Sequence, residues 1–387
     1  MTLCPYTSTR IACRRRFVLV LATLLSLTAS AFSSVFAAER WSAEQANQWY
    51  SQQPWLVGCN FGPSTAINQL EMWQAETFDP ATIDRELGWA ASLGMNTVRV
   101  FLHEVPWQQD REGFYSRVDK FLEMAAAHKI RPMIVLFDGV WDPDPQPGPQ
   151  RRPRTGVHNS GWVQGPGRVV LADPAKQDAL KPYVTEVVQR YGKDDRVLAW
   201  DLFNEPDNPN ENSYGPLELK NKDEVAERLV RLSFAWAREV GPTQPLTVGV
   251  WRGPEWDQPE KLNMVHKAAL ELSDVISFHN YDGPELLNAR IAQLRKTGRP
   301  LLCTEYLARG NGSTFADVLP IFKQEKIAAY NWGLVDGKTN TKYPWKTWQM
   351  PIIGVEPDPW HHEIFHADGK PYREDEVRLI KSLTGAK

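Results

Sequence analysis

Cysteine is scarce in this sequence: it numbers four among 387 residues, and two of those, Cys4 and Cys13, fall in the N-terminal segment. The remaining pair, Cys59 and Cys303, each sit inside an apolar, strand-like run and are expected to be free buried thiols. Neither a disulfide framework nor a CxxC metal motif is present, so the fold has to rest on its core. An excess of charge of one sign is lacking too. Lys and Arg total 44 against 47 Asp and Glu, and the net charge of -3 comes without any basic stripe, which argues against a nucleic-acid partner. Beyond residue 38 no run is apolar enough to span a bilayer, and there is no internal repeat or linker-like boundary. No membrane role is therefore expected once the leader is removed; oligomeric state is not legible.

The N-terminus has its own grammar. Arg14, Arg15 and Arg16 precede the apolar run Phe17–Leu27, and Val35-Phe36-Ala37 offers a small-residue cleavage site. This reads as a signal peptide over residues 1–37, leaving residues 38–387 as one domain in the periplasm or medium. Cys13-Arg-Arg-Arg-Phe17-Val also resembles a twin-arginine signal. The competing reading is an uncleaved anchor, since Phe17 to Ala38 carries no charge.

What is abundant is tryptophan, 16 residues of it. The indole is flat and amphipathic, able to pack on the apolar face of a pyranose or simply to fill a large core. Apolar, β-branched runs also alternate with amphipathic segments along most of the chain. The strand-like runs are Leu56–Phe61, Thr97–Leu102, Pro132–Phe137, Val197–Phe203, Leu246–Val250, Val275–His279, Leu301–Glu305 and Ile327–Trp332. Eight continuous apolar strands separated by helices predict a single α/β (β/α)8 TIM barrel. Helices are expected from Asp79-Pro80 to Gly94, from Asp173-Pro174 to Tyr191-Gly192, and over 223–240, 284–297, 314–323 and 374–383. A long Pro/Gly-rich loop over Asp138–Gly167, after the third strand, holds Trp141, His158 and Trp162 and is expected at the C-terminal rim.

Two carboxylates stand out. Trp200-Asp-Leu-Phe-Asn204-Glu205-Pro206 ends the fourth strand, and Leu301-Leu-Cys-Thr-Glu305-Tyr306 ends the seventh. Glutamates so far apart in sequence meet only if strands across one barrel carry them. Glycoside cleavage needs one group to protonate the leaving oxygen and a second to stabilise or trap the cationic carbon. Asn-Glu-Pro after strand four together with Glu after strand seven resembles the clan A glycoside hydrolases, particularly the cellulase-like family 5. Arg99 in Asn-Thr-Val-Arg-Val, His279 and Tyr281 in Ser-Phe-His-Asn-Tyr-Asp, Trp332 in Tyr-Asn-Trp-Gly, and the ending His366-Ala-Asp-Gly-Lys-Pro-Tyr372 extend the resemblance over nearly the whole mature chain.

The resemblance implies retaining hydrolysis of a β-linked oligo- or polysaccharide of glucan, mannan or xylan type, without cofactor or metal. It makes Glu205 the general acid/base, its pKa raised by the charge of Glu305. Glu305 becomes the nucleophile, kept ionised by Arg99 and Tyr281. Asn204 would bind the sugar 2-hydroxyl, His279 would line the same subsite, and Trp332 matches the family's strand-eight tryptophan. Apart from the resemblance, the indoles in the Asp138–Gly167 loop suggest that it forms one wall of the sugar site through Trp141 or Trp162. One departure matters: many such enzymes carry a histidine at the end of strand three, where this chain has Phe137-Asp138, so His103 or His158 is expected to fill the space. Two rival classes remain: a sugar-binding barrel without catalysis, and a metal-dependent hydrolase, which the absence of an HxH in Cys59-Asn60-Phe61-Gly62 disfavours. An exo-acting glycosidase or transglycosylase on the same fold is the nearer alternative.

Overall fold

The computed structural model describes residues 39–253 and 255–387; the expected leader, with Cys4 and Cys13, lies outside the described residues. Eight parallel strands form the barrel: β1 (Val57–Phe61), β2 (Thr97–Phe101), β3 (Arg131–Asp138), β4 (Ala199–Asn204), β5 (Leu246–Thr247), β6 (Ile276–His279), β7 (Leu301–Tyr306) and β8 (Ala328–Trp332). They pair in the order β5-β4-β3-β2-β1-β8-β7-β6. A parallel bridge between Val250 and Phe278 draws the two ends together, with the Val250 N–H donating to the Ser277 carbonyl at 3.1 Å. The (β/α)8 barrel expected from the alternating pattern is present, its strands buried as a sheet covered on both faces must be. β5 is shorter than the apolar run Leu246–Val250 predicts, because the Ser273 hydroxyl rather than a neighbouring strand takes the Val248 N–H at 3.1 Å.

The barrel interior divides by height. Toward the N-terminal ends of the strands, Leu56, Met133, Ala199, Leu302, Ala328 and Tyr330 form an apolar plug. The helix Ala43–Ser51 packs on it through Ala46, and a Ser42/Gln45 capping box fixes where that helix starts. Toward the C-terminal ends the inward side chains are polar instead: Asn60, Arg99, Asp201, Asn204 and Glu305 are all buried.

The outer helices mostly follow their punctuation. Asp79 caps Pro80–Ser92 and Thr314 caps Phe315–Gln324. The segment expected as one helix to Tyr191 is two, Pro174–Asp178 and Lys181–Tyr191, because Pro182 has no N–H to continue the ladder and sits in the first turn of a new helix. Arg111–Ala127 and Met264–Leu272 are helices that the pattern did not single out. No helix among the described residues is long and apolar enough to cross a membrane.

Long loops rise from the C-terminal rim after β3, β4 and β8. They are tied to one another. The Asn159 N–H donates to the Thr339 carbonyl at 2.8 Å, the Ile352 N–H to the Gly156 carbonyl at 3.1 Å, and the Trp141 N–H to the Asn210 side chain at 2.9 Å. Buried Lys222 pins the β3 and β4 loops from below, its ammonium 2.8 Å from the Gly139 carbonyl and 2.6 Å from that of Asn208.

Candidate active site

Above the polar layer lies a cavity of about 300 Å³. Glu205 and Glu305 both border it, as do Asn204, Trp141, Trp162, Trp332, His158 and Tyr281. The expected members therefore converge, Arg99 and His279 behind the two glutamates rather than on the cavity wall, and His103 alone lies elsewhere.

Glu305 reaches the cavity through an irregularity in β7. Leu302 belongs to the interior plug, so strict alternation would turn Thr304 inward and Glu305 outward. The ladder slips here against both neighbours: Phe278 pairs with Cys303 and His279 with Glu305, while on the other side Cys303 pairs with Ala329 and Tyr306 with Asn331. β7 thus contains one extra residue, a bulge of the kind that re-aims a side chain next to an active site. Cys303 and Tyr306 both join the outer core despite their odd spacing, and Glu305 is left facing inward. Both cysteines, Cys59 and Cys303, are buried free thiols.

Arg99 lies wholly buried beneath the site. Its Nη1 donates to Glu305 Oε1 and Asn60 Oδ1, each at 2.8 Å; its Nη2 donates to Asp201 Oδ2 at 2.8 Å and to Asn204 Oδ1 at 2.7 Å. Asp201 went unread in the sequence, although its place two residues along β4 from Ala199, itself part of the interior plug, is the signal that could have found it. The Tyr281 hydroxyl donates to the other Glu305 oxygen at 2.6 Å. Burial, joined by the negative charge of Glu205, pushes the Glu305 carboxyl up from its ordinary value, while His279, Arg99 and the Tyr281 hydrogen bond oppose that push.

Glu205 follows β4 with a φ of 39°, left-handed backbone that a side-chain-bearing residue adopts rarely and mostly at functional sites. His279 Nδ1 lies 2.7 Å from its Oε1, and the Asn208 amide donates to its Oε2 at 2.6 Å. Burial, joined by the negative charge of Asp207, pushes this carboxyl up to about 7. The expected cause, the charge of Glu305, does not figure among the effects on Glu205; burial and Asp207 do, and between the two glutamates it is Glu205 whose charge raises Glu305. His279 is itself pushed down to about 4 by burial, so it is neutral at higher pH, and the cation facing Glu305 is Arg99.

His103 is the exception. It is fully buried away from the cavity, where it caps the helix Glu104–Gln109, accepting from the Val105 N–H at 3.1 Å and lying 2.9 Å from the Gln164 carbonyl. The space near the end of strand three is taken by Asp138 and Trp162. Asp138 Oδ2 accepts the Trp162 indole N–H at 2.6 Å, and its Oδ1 accepts from Asn204 Nδ2 at 2.9 Å. Because Asn204 Oδ1 faces Arg99, the amide orientation is fixed and one N–H is left for the cavity.

Several lining residues were missed. Trp345, Trp348 and His362 come from the loop after β8, and Trp251 from beyond β5. Tyr-Pro-Trp345-Lys-Thr-Trp348 carries the same signal, indoles in an irregular rim segment, that marked the loop after β3. Trp348 stacks on Trp141 with centroids 5.5 Å apart and planes at 10°.

Among the described residues, one group of side chains brings metal-ligand atoms together: Glu205, His279 and Glu305, all within 4.8 Å of one another. Three different strand ends supply them, so no local spacing in the sequence reveals the cluster. Each carboxylate already has a donor, and the guanidinium against Glu305 opposes a second cation there.

The sequence model of the cellulase family, glycosyl hydrolase family 5, matches residues 61–350. Among solved structures, the chain is similar to an exo-β-1,4-mannosidase from Opitutaceae bacterium strain TAV5 (TM-score 0.54, 18% identity), covering 85% of this chain and 60% of that one. It is similar as well to an endo-β-1,4-mannanase from Thermotoga petrophila (TM-score 0.54, 14% identity, 85% and 76% covered). A third is the endo-1,4-β-mannanase from Rhizomucor miehei (TM-score 0.54, 15% identity, 85% and 97% covered). A search of curated proteins finds no match. At these identities the structural likeness speaks for the fold alone.

Proposed function

The chain belongs to glycosyl hydrolase family 5 and is a retaining glycoside hydrolase, and from that premise we infer that Glu305 is the nucleophile and Glu205 the acid/base in a double displacement on a β-linked oligo- or polysaccharide. The observation that carries this reading is the contrast between two neighbouring buried carboxylates. Burial raises both, Glu205 to about 7, but Glu205 has only neutral groups as hydrogen-bond partners, whereas Glu305 is held by a guanidinium and a phenol.

In the first half-reaction, Glu305 attacks the anomeric carbon as protonated Glu205 gives its proton to the departing oxygen. Forming the ester removes the charge on Glu305. Glu205, now a carboxylate, takes a proton from water as that water attacks the anomeric carbon from the face just vacated; the bond to Glu305 breaks, Glu305 leaves as a carboxylate, and the β configuration returns. Carboxylate oxygens within 4.8 Å of each other suit this two-step route, which uses about 5–5.5 Å between the groups, better than the wider spacing of inversion. The remaining amide hydrogen of Asn204 is placed to meet the sugar 2-hydroxyl. The activities named for the structural neighbours put β-1,4-mannosides first among substrates to test, ahead of glucosides and xylosides. Export rests on the leader pattern alone and is checked by N-terminal sequencing of the mature protein.

Azide separates the two roles. Glu205→Ala should still form the covalent intermediate from an activated aryl glycoside, stall there, and give a β-glycosyl azide. Glu305→Ala should form no intermediate and give the α-azide. Either variant should lose about 10³-fold or more on unactivated substrate. The same azide anomer from both, or near-normal turnover by either, would show that the roles are misassigned.

A further inference from the structure

If Glu205 protonates the leaving oxygen, the leaving chain departs on the side of β4 and β5, and the reacting sugar sits between Glu205 and Glu305. On the leaving side the cavity continues past Asn208 toward Trp251 and Ser213. Across the barrel, above β1, β2 and β8, Trp162 and Trp332 close it, backed by buried Phe101. Phe101, Trp162 and Trp332 meet pairwise edge to face, with centroids 5.4, 5.9 and 5.9 Å apart and planes 67° to 88° from parallel.

Trp162 is a built part of that wall rather than a loop residue leaning in. Its indole N–H is held by buried Asp138, whose same oxygen accepts from Gln69 Nε2 at 3.0 Å; Gln69 also donates to the Val163 carbonyl at 3.1 Å. The preceding Gly161 lies so close to Ile67 that an added Cβ would come within 2.2 Å of its Cδ1. Behind the wall, a second cavity that shares Trp162 and Trp332 measures about 30 Å³, against about 300 Å³ in front. That is room for about one or two water molecules, not for a pyranose. Over the top, the Trp141–Trp348 stack joins the β3 and β8 loops.

We propose that the enzyme acts from the chain end, accepting a single sugar on the glycone side and removing non-reducing terminal residues one at a time. The proposal rests on the assignment of Glu205 and Glu305 above. The sugar whose anomeric carbon is attacked has its other hydroxyls turned toward the Phe101–Trp162–Trp332 wall, so a further sugar attached there has no place to go. The leaving chain, in contrast, can be long.

The test uses p-nitrophenyl β-monosides and the matching β-1,4-linked biosides of mannose, glucose and xylose. A chain-end enzyme must first take the terminal sugar from a bioside, so nitrophenol appears only after a lag, with monosaccharide as the first product; the monoside shows no lag. Oligosaccharides reduced at their reducing end should be cleaved as readily as unreduced ones, again giving monosaccharide first. Trp162→Gly, by opening the wall, should abolish the lag and release disaccharide directly. Immediate nitrophenol release from a bioside by the unaltered enzyme, with disaccharide as product, overturns the chain-end proposal and leaves the glycosidase reading intact. Failure to cleave any of the six aryl glycosides or the corresponding polymers overturns the glycosidase reading, and this proposal with it.

Discussion

Glu205 and Glu305 share their burial, their position at the C-terminal end of a barrel strand and a common neighbour, His279, whose Nδ1 is 2.7 Å from one and 3.5 Å from the other. They differ in what else touches them. Glu205 receives a neutral amide from Asn208, whereas Glu305 receives the Arg99 guanidinium and the Tyr281 hydroxyl. Burial alone would drive both carboxyls toward the neutral form. The lesson is that one buried cation, hydrogen-bonded to one of two chemically identical groups and not to the other, makes their surroundings unequal, and this inequality supports the opposite duties proposed for them. Asp201 keeps that cation from being an uncompensated charge in the barrel.

The largest effect should come from removing the cation. Arg99→Met leaves Asp201 and Glu305 facing each other through a dry interior with no counter-charge. Breaking a buried pair in this way typically costs about 3–5 kcal/mol of stability. Activity should fall by about 10²-fold or more, as when one preorganised electrostatic group is deleted from an active site. Denaturant unfolding and aryl-glycoside kinetics measure both. A variant that stays stable with a normal rate would show that the distinction between the two glutamates lies elsewhere.

Next comes a gain. Glu205 carries a folded-state value of about 7 against an ordinary 4.5, so between those pH values the folded protein holds a proton that the unfolded chain has lost. Stability therefore falls as pH rises through this window and stays reduced above it. Glu205→Gln removes the penalty, and should stabilise the protein at pH 8 by up to about 3 kcal/mol while changing little near pH 4. Thermal melts of both proteins at the two pH values give the answer; equal melting temperatures at pH 8 would mean that Glu205 ionises without cost.

How much of this was legible in the chain varies from one residue to the next. β1 to β4 could be read because a strand covered on both faces is apolar without interruption. The positions of Asn204 and Glu205 could be read because the motif coincides with the end of such a run. Glu305 was named correctly as a strand-end residue, but the bulge that turns it inward leaves no trace in a period-two pattern; it is visible only as slipped pairing against β6 and β8. His103 was misplaced because a histidine after an apolar strand looks the same whether it faces a site or caps the next helix. Asp138, the residue that does occupy the end of strand three, was passed over as the start of a loop. Trp345, Trp348 and His362 lie in a segment with the same indole-bearing, irregular character as the loop after β3, but it is separated from β8 by a dozen residues, so its return to the site does not show in the sequence.

A smaller effect sharpens the same comparison through pH. If Glu205 is the acid, as proposed, the free enzyme needs it protonated for the first step, and kcat/KM should decline above about pH 7. Asp207 adds negative charge beside Glu205 and is held by Arg252, Trp251 and Asn263. Asp207→Asn should move the alkaline limb to lower pH, since less negative charge makes Glu205 easier to ionise, with the maximal rate little changed. A limb that moves upward, or one that stays in place while KM changes, would assign Asp207 to holding Trp251 rather than to tuning the acid.

The smallest expected effect is none. Glu205, His279 and Glu305 lie close enough together to resemble a ligand set for a divalent ion, and that reading would abolish the contrast between the two glutamates by making both of them ligands. The surrounding charges oppose it. Glu305 already holds the guanidinium of Arg99 at 2.8 Å, so a divalent ion would have to settle beside a fixed positive charge in a buried site, where such repulsion is weakly screened. His279 Nδ1, the nitrogen facing both carboxylates, is already engaged with Glu205 Oε1 at 2.7 Å. Dialysis against EDTA should therefore leave the hydrolysis rate unchanged, and added zinc should either do nothing or inhibit by competing for the carboxylates. Activity that disappears with the chelator and returns with a divalent ion would replace the acid and nucleophile with a metal-activated water, and the difference between Glu205 and Glu305 would need another explanation.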